Sequence, residues 1–291
     1  MKPLKVALII RPKLYLKNRD NRKIGLFSYA VPGLTWDHYM YDKDFYINRG
    51  QFSSYDAIVL EDGLFGKFGG DGPPVIGIFW DSTWTHQHYE SRLRQAKQCD
   101  LVFIGHDKLS RFKPCGKPVR RLSYCVNDKL FMDYGLERMV DVTYHCRTKT
   151  SSARRVLGDY LKGFCADRGY SYRAGILDPP AYARAFNAGK VNVNLCQSVR
   201  NRPHRVFDVM AARGCLLTSP LPHVSGEERM AGTHYVEYDK PQAAGKMIDR
   251  LLETGDWQGI ADEGYRLAQK YYTWRVRAKQ LRRQIYEVLK I

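Results

Sequence analysis

What this chain lacks narrows it first. None of its seven cysteines (positions 99, 115, 125, 146, 165, 196 and 215) forms a CxxC pair, and their number is odd. Several sit inside apolar runs, which points to reduced, buried thiols and a cytoplasmic protein (in the host cytoplasm if viral) rather than a disulfide framework. The spacings of His, Cys and carboxylates supply no zinc set, and no metal is expected. No stretch approaches the length of a membrane span. The apolar run in MKPLKVALIIR is too short for a signal peptide and suits a first strand. Negative charge is also scarce. Thirty acidic residues against 47 basic ones leave a net +17 and a pI near 9.5. That excess speaks for a polyanionic partner, nucleic acid or an anionic membrane surface, set against a nucleotide-binding protein that is basic without consequence.

What is present reads as α/β. At 291 residues and 44% hydrophobic content the chain can bury one large core or two modest ones. Apolar runs at 5–10, 55–60, 75–80, 100–105 and 119–125 suit buried parallel strands, with a helix expected over 86–98. Asn127-Asp-Lys and Tyr134-Gly135 break the pattern, and it then restarts. Strands are expected at 141–146, 170–177, 191–195, 215–218 and 233–238, and helices at 151–168, 179–187 and 203–213. Three helices close the chain (240–254, 256–272, 274–290). In the last, Trp274, Ala278, Leu281, Ile285 and Val288 form an apolar stripe, with Arg275, Arg277, Lys279, Arg282 and Arg283 around it. The alternation implies parallel sheets covered by helices, in two units that join near 127–140.

The most informative segment runs from Asn192 to Ser219. It reads as strand, polar loop, helix, Gly214 and strand. A helix start after a strand is a ready anion site, because unpaired N–H groups and the helix dipole favour negative charge there. Arg205 and Asp208 lie three apart and share a helix face. A cation for phosphate beside a carboxylate for sugar hydroxyls suits a nucleotide-sugar. The plainer reading is an intrahelical ion pair worth ~0.3–0.5 kcal/mol. Asn192 and Asn194 face one side of their strand; one lines a site, or both bond neighbouring loops.

The order of these segments resembles the GT-B glycosyltransferases and, within them, the group-1 family related to CgeB-type proteins. The resemblance rests on YDAIVL (55–60), GIFWDS (77–82), CDLVF (99–103), DVTYHC (141–146), RRVL (154–157), KVNVNL (190–195), RVFDVMAARG (205–214), IADEGYR (260–266) and YTWR (272–275). It implies two Rossmann-like domains facing across a cleft. These would be an acceptor-side domain over 1–133 and a donor domain over 134–273, with the C-terminal helix (274–291) packing back toward the first. It also implies a UDP-sugar as substrate and no cofactor. By position, Asp208 matches the acidic residue that holds the donor ribose, and Arg205 the basic residue before it. Arg147 and Lys149 match the place where basic residues meet the diphosphate, and Asn194 joins this donor set. The chain departs from the family pattern in three places. Asp208 stands where Glu is usual, Cys146 where glycine is expected, and Arg200-Asn-Arg where an upstream acid belongs.

Asp81 and His86 follow the 75–80 strand, at the sheet edge where α/β sites gather. They are the candidate bases if the chemistry inverts the anomeric centre. If it retains configuration, the donor phosphate takes the proton. An N-cap is the ordinary role for Asp81. Arg11, Lys13, Lys17, Arg19, Arg22 and Lys23 form a basic run with Tyr15 and Phe27 among them, a pattern of phosphate contacts and base stacking. Arg111, Lys113, Lys117, Arg120 and Arg121 extend it. The expected acceptor is therefore DNA carrying hydroxymethylated pyrimidines. One alternative is a lipid-linked or cell-wall glycan at a membrane surface, with Leu64, Phe65 and Phe68 as an apolar patch. The other is a non-catalytic nucleotide- or DNA-binding protein on a decayed transferase fold.

Overall fold

Apolar runs bounded by polar turns become parallel strands where helices can cover both faces of the sheet. In a computed structural model of the chain, the described residues are 3–10, 33–40, 45–61, 66–79, 86–105, 109–146, 151–196, 204–221 and 231–290. The chain divides into two compact units, Met1–Cys125 with Trp274–Ile291, and Val126–Thr273.

The first unit runs β1 (Leu4–Ile10), β2 (Leu34–Met40), β3 (Phe45–Asn48), β4 (Ala57–Glu61), β5 (Gly66–Gly69), β6 (Val75–Phe79), α1 (His86–Ala96), β7 (Leu101–Ile104) and β8 (Val119–Arg121). Six of the strands form one parallel sheet in the order β2-β1-β4-β6-β7-β8, while β3 and β5 pair separately. Alternate residues of the large sheet, from Ala7 and Ile9 to Val102 and Ile104, form one apolar face. They pack with Leu93 and Ala96 of α1 and with Phe112 of a 3-10 turn (Leu109–Cys115).

The second unit repeats the plan: β9 (Val140–Tyr144), α2 (Ser152–Arg168), β10 (Tyr172–Ala174), α3 (Pro179–Ala188), β11 (Gly189–Asn194), α4 (His204–Ala211), β12 (Cys215–Thr218), β13 (Val236–Glu237), α5 (Pro241–Thr254) and α6 (Trp257–Tyr271). Its parallel sheet has the order β10-β9-β11-β12-β13. Local chemistry sets the helix starts. The Ser151 side chain accepts from the Arg154 N–H, and Asp178 does the same for Ala181 ahead of a proline pair. Residues 127–139 are tied into this unit, which begins at Val126. The Asn187 amide accepts from the Leu136 N–H and donates to Asp133, while the Arg138 guanidinium donates to carbonyls at the end of α3. The last helix, α7 (Trp274–Leu289), belongs to the first unit. It buries Trp274, Ala278, Leu281 and Ile285 and packs on β7.

The two faces of the second sheet differ in kind. On one, Val142, Tyr144, Val191, Val193, Cys215 and Leu217 pack against α2 and α5 in an apolar core. On the other, the buried residues Thr143, Asn192, Asn194 and Thr218 form cross-strand polar pairs. Thr143 and Asn192 sit opposite each other in register and bond at 2.6 Å; Asn194 and Thr218 do so at 2.9 Å. A buried amide left unbonded costs ~1–3 kcal/mol, so these pairs fix the register of β11 against both neighbours.

The turn from α4 into β12 is equally tight. Arg213 takes the left-handed conformation (φ 55) that usually calls for glycine, and its guanidinium spans Asp133 (2.9 Å) and Asp262 (2.6 Å). At the next residue, a side chain on Gly214 would meet Asn192 Nδ2 at 2.5 Å and the Phe186 carbonyl at 2.9 Å. Gly214→Ala is therefore expected to lower stability by about 1–3 kcal/mol in urea unfolding, because the backbone carbonyl cannot move aside. An unchanged midpoint would show that the turn has slack.

Candidate functional site

In an open parallel sheet, loops after neighbouring strands part where the strand order reverses, and ligands bind in the opening beyond the carboxyl ends. In the second unit that point lies between β9 and β11. His145 follows β9 and Asn194 ends β11, so the two flank it. α4 then begins with His204 and Arg205.

The geometry ties Arg205 to the sheet. Thr218 Oγ1 accepts from Asn194 Nδ2 at 2.9 Å, which directs the amide oxygen outward. That oxygen accepts from Arg205 Nη1 at 3.4 Å. Asn194 is wholly buried and Arg205 half-buried. The end of β11 is held from its other side as well. The Asn194 carbonyl accepts from the Tyr238 hydroxyl at 2.8 Å and from the Ser219 N–H at 3.2 Å, and Ser219 Oγ accepts from the Cys196 N–H at 2.8 Å. Burial raises the Tyr238 pKa, so the phenol keeps the proton it donates. Asp208 lies one turn along α4 from Arg205 and is fully buried.

His145 is 4% exposed, with the rings of Tyr182 and Phe186 against it. Burial, reinforced by the positive charges of Arg205 and Arg173, lowers its pKa to about 4. A neutral imidazole thus stands beside the guanidinium. Arg205 brings a guanidinium to this end of β11, a group that suits an anion such as a phosphate.

Of the residues expected from the sequence, the structure brings together Asn194 and Arg205, with Asp208 on the same helix. The pair Asn192 and Asn194 divides its labour. Asn192 bonds Thr143 and the carbonyls of Phe186 and Gly189 inside the sheet, while Asn194 reaches Arg205. Asp81, Arg147, Lys149, Arg11, Lys13, Lys17, Arg19, Arg22 and Lys23 lie outside the described residues, as do Leu64 and Phe65. His86 opens α1, but its side chain is not described. Phe68, offered as part of an exposed apolar patch, is half-buried against the first unit's core. Sequence reasoning missed His145, Thr218, Ser219 and Tyr238. The signal for His145 and Thr218 was their place at strand ends on the same face as Asn194, which only the register reveals. Among the described residues, no group of three or more His, Cys, Asp or Glu is placed to hold a metal ion, and no helix is long and apolar enough to cross a membrane.

Comparison with known proteins gives the kind of fold. Residues 142–283, most of the second unit and part of the last helix, match a family described as glycosyl transferase-like. The whole chain has the fold of GT-B glycosyltransferases. It aligns with sucrose-phosphate synthase from Thermosynechococcus elongatus at TM-score 0.58 and 11% identity, covering 99% of each chain. It aligns with Anabaena HepE, solved in complex with UDP and glucose, at 0.64 and 10%, covering 98% of this chain and 100% of that one. Pneumococcal O-GlcNAc transferase GtfA, in complex with UDP and GlcNAc, gives 0.52 and 10%, over 80% and 57%. No curated protein sequence matches significantly.

The buried imidazole carries a pH signature. With a folded pKa near 4 against 6.5 unfolded, His145 is neutral in both states above about pH 7 and contributes no pH dependence there. As pH falls from 6.5 toward 4 the unfolded chain takes up the proton first, so stability drops. Between about pH 8 and about pH 5 the wild type should lose about 2 kcal/mol more than His145→Gln. Parallel stability curves for the two proteins would contradict a buried, neutral His145.

Proposed function

We propose that the protein transfers a hexose, glucose by default, from a UDP-sugar to a hydroxyl of a large anionic acceptor, and that this acceptor is DNA carrying hydroxymethylated pyrimidines. The observation behind the donor half is Arg205, oriented by Asn194 and Thr218, at the start of a helix beside the switch point of the glycosyl transferase-like domain. A guanidinium at a helix N-terminus, where the helix dipole favours negative charge, can take a diphosphate. HepE, which shares the fold, has been solved with UDP and with UDP-glucose, in support of that donor class. In this reading Arg147 and Lys149 approach the diphosphate from the loop after β9, and Asp208 serves the ribose.

In the reaction the bond from the sugar's anomeric carbon to the UDP oxygen breaks, and a bond to the acceptor oxygen forms. Negative charge grows on the departing diphosphate, where fixed cations stabilise it without a metal ion. The acceptor proton passes to Asp81 or His86 if configuration inverts, or to the donor phosphate if it is retained.

Charge supports the acceptor half. The first unit holds 26 basic and 13 acidic residues, a net +13, whereas the second holds 21 and 17, a net +4. Most of the excess thus lies away from the donor domain, where an acceptor's phosphates can balance it. To reach a base within a duplex the enzyme would flip it from the stack, at a cost of a few kcal/mol that phosphate contacts offset.

The test is to incubate the protein with a panel of UDP-sugars and DNA containing 5-hydroxymethylcytosine or 5-hydroxymethyluracil, then weigh the digested nucleosides. A hexose-sized gain is expected on one modified base. UDP release without such a gain would move the acceptor to a glycan or lipid-linked sugar. In calorimetry, Arg205→Ala should weaken UDP binding about 10–100-fold, the loss of about 1.5–3 kcal/mol that goes with a charged hydrogen bond. Equal affinity in the two proteins would remove Arg205 from the donor site.

A further inference from the structure

The last helix carries more charge than its packing needs. Residues 274–291 hold six basic residues and one acid. The amphipathic pattern predicts basic residues distributed around the apolar stripe, but the structure sorts them. Arg277 is buried and bonds Gln280, and Arg282 is half-buried over the Tyr286 ring. Arg275, Lys279, Arg283 and Lys290 are exposed. At a helix's 100° per residue, Arg275, Lys279 and Arg283 run from the flank to the far side of the buried seam of Trp274, Ala278, Leu281 and Ile285, and Lys290 follows the last helical residue. The three helical cations span ~12 Å along the axis. The acid on this face, Glu287, pairs with Arg283 at 3.5 Å, with both side chains more than half exposed. Such a pair is worth only a few tenths of a kcal/mol and exchanges readily for another anion.

We infer that the outward face of α7 is a docking surface for the phosphate backbone of duplex DNA. The inference rests on the anionic-acceptor reading and names the element that grips the acceptor. A stripe of cations along one helix meets a linear array of phosphates by charge complementarity, with no need of a pocket. The helix is poorly suited to a membrane surface. A helix that lies on a bilayer inserts its apolar face, but the apolar seam of α7 (Trp274, Ala278, Leu281 and Ile285) is already buried in its own unit. No residue of α7 is among the exposed large hydrophobics of the described chain.

The test uses the intact chain and a fluorescein-labelled duplex oligonucleotide, with binding read by anisotropy across a salt series. Two triple variants are compared. One is Arg275→Gln, Lys279→Gln and Arg283→Gln on α7. The other removes the same charge from exposed sites of the second unit, as Lys162→Gln, Arg184→Gln and Lys246→Gln. The wild type should bind with affinity that falls steeply with salt. In the α7 variant the slope of log K against log [NaCl] should become shallower by about 2–3, and binding at physiological salt should weaken by about tenfold or more. The second-unit variant should keep the wild-type slope, and calorimetric UDP binding should be equal in all three. Equal slopes in the two variants would overturn the assignment of α7 while leaving the DNA acceptor standing. A wild type without salt-dependent duplex binding would overturn both. Loss of UDP binding in the α7 variant alone would show that the helix supports the donor site instead.

Discussion

Parallel strands deliver all their carboxyl ends to one edge of the sheet, and in the second unit that constraint meets a line of buried polar side chains. Asn192 and Asn194 leave β11 on the same face, inside the protein, where unbonded amides are costly. Each finds a partner on a different neighbouring strand, Thr143 on β9 and Thr218 on β12. The pairing locks three strands in register. It also leaves the Asn194 oxygen pointing at Arg205, which makes the orientation of one guanidinium a consequence of how the sheet packs. A neutral, buried His145 beside it adds no second charge to the site. The donor-site reading depends on this arrangement more than on any single contact.

The two units divide the chain's charge unequally. The second unit is closer to balance, and some of its cations tie its own elements together. Arg138 gathers carbonyls at the end of α3, and Arg213 bridges two aspartates. The other unit carries the excess, and its last helix displays three cations to solvent. Net charge says nothing about fold, but its concentration in one unit says where an anionic partner is best met.

The fold was largely legible because fully buried parallel strands are continuous apolar runs. β1, β4, β6, β7, β9, β11 and β12 all lie where such runs were read. What was missed lacks that signal. β2 (LTWDHYM) is an edge strand with polar residues throughout, and β5 (GKFG) is half glycine and pairs only with β3. Such strands are specified by their long-range partners rather than by their own pattern. β8 and β10, also edge strands, came out shorter than expected for the same reason. Arg205 was visible as the first cation of a helix following a strand. Asn194 was named with it, but its bond to Arg205 and the places of Thr218 and His145 were not legible, because a polar residue on a strand reads the same whether it bonds its neighbour or aims a site residue. Only the cross-strand register separates the two.

The claim tested most directly is that the carboxyl edge of the second sheet receives the nucleotide. Amide hydrogen exchange of the intact protein, with and without UDP, measures it without presupposing an acceptor. Exchange is predicted to slow in peptides covering 191–196, 204–208 and 215–221, with little change across β6 to β8 of the first unit. Protection confined to the first unit, or none at saturating UDP, would contradict the account.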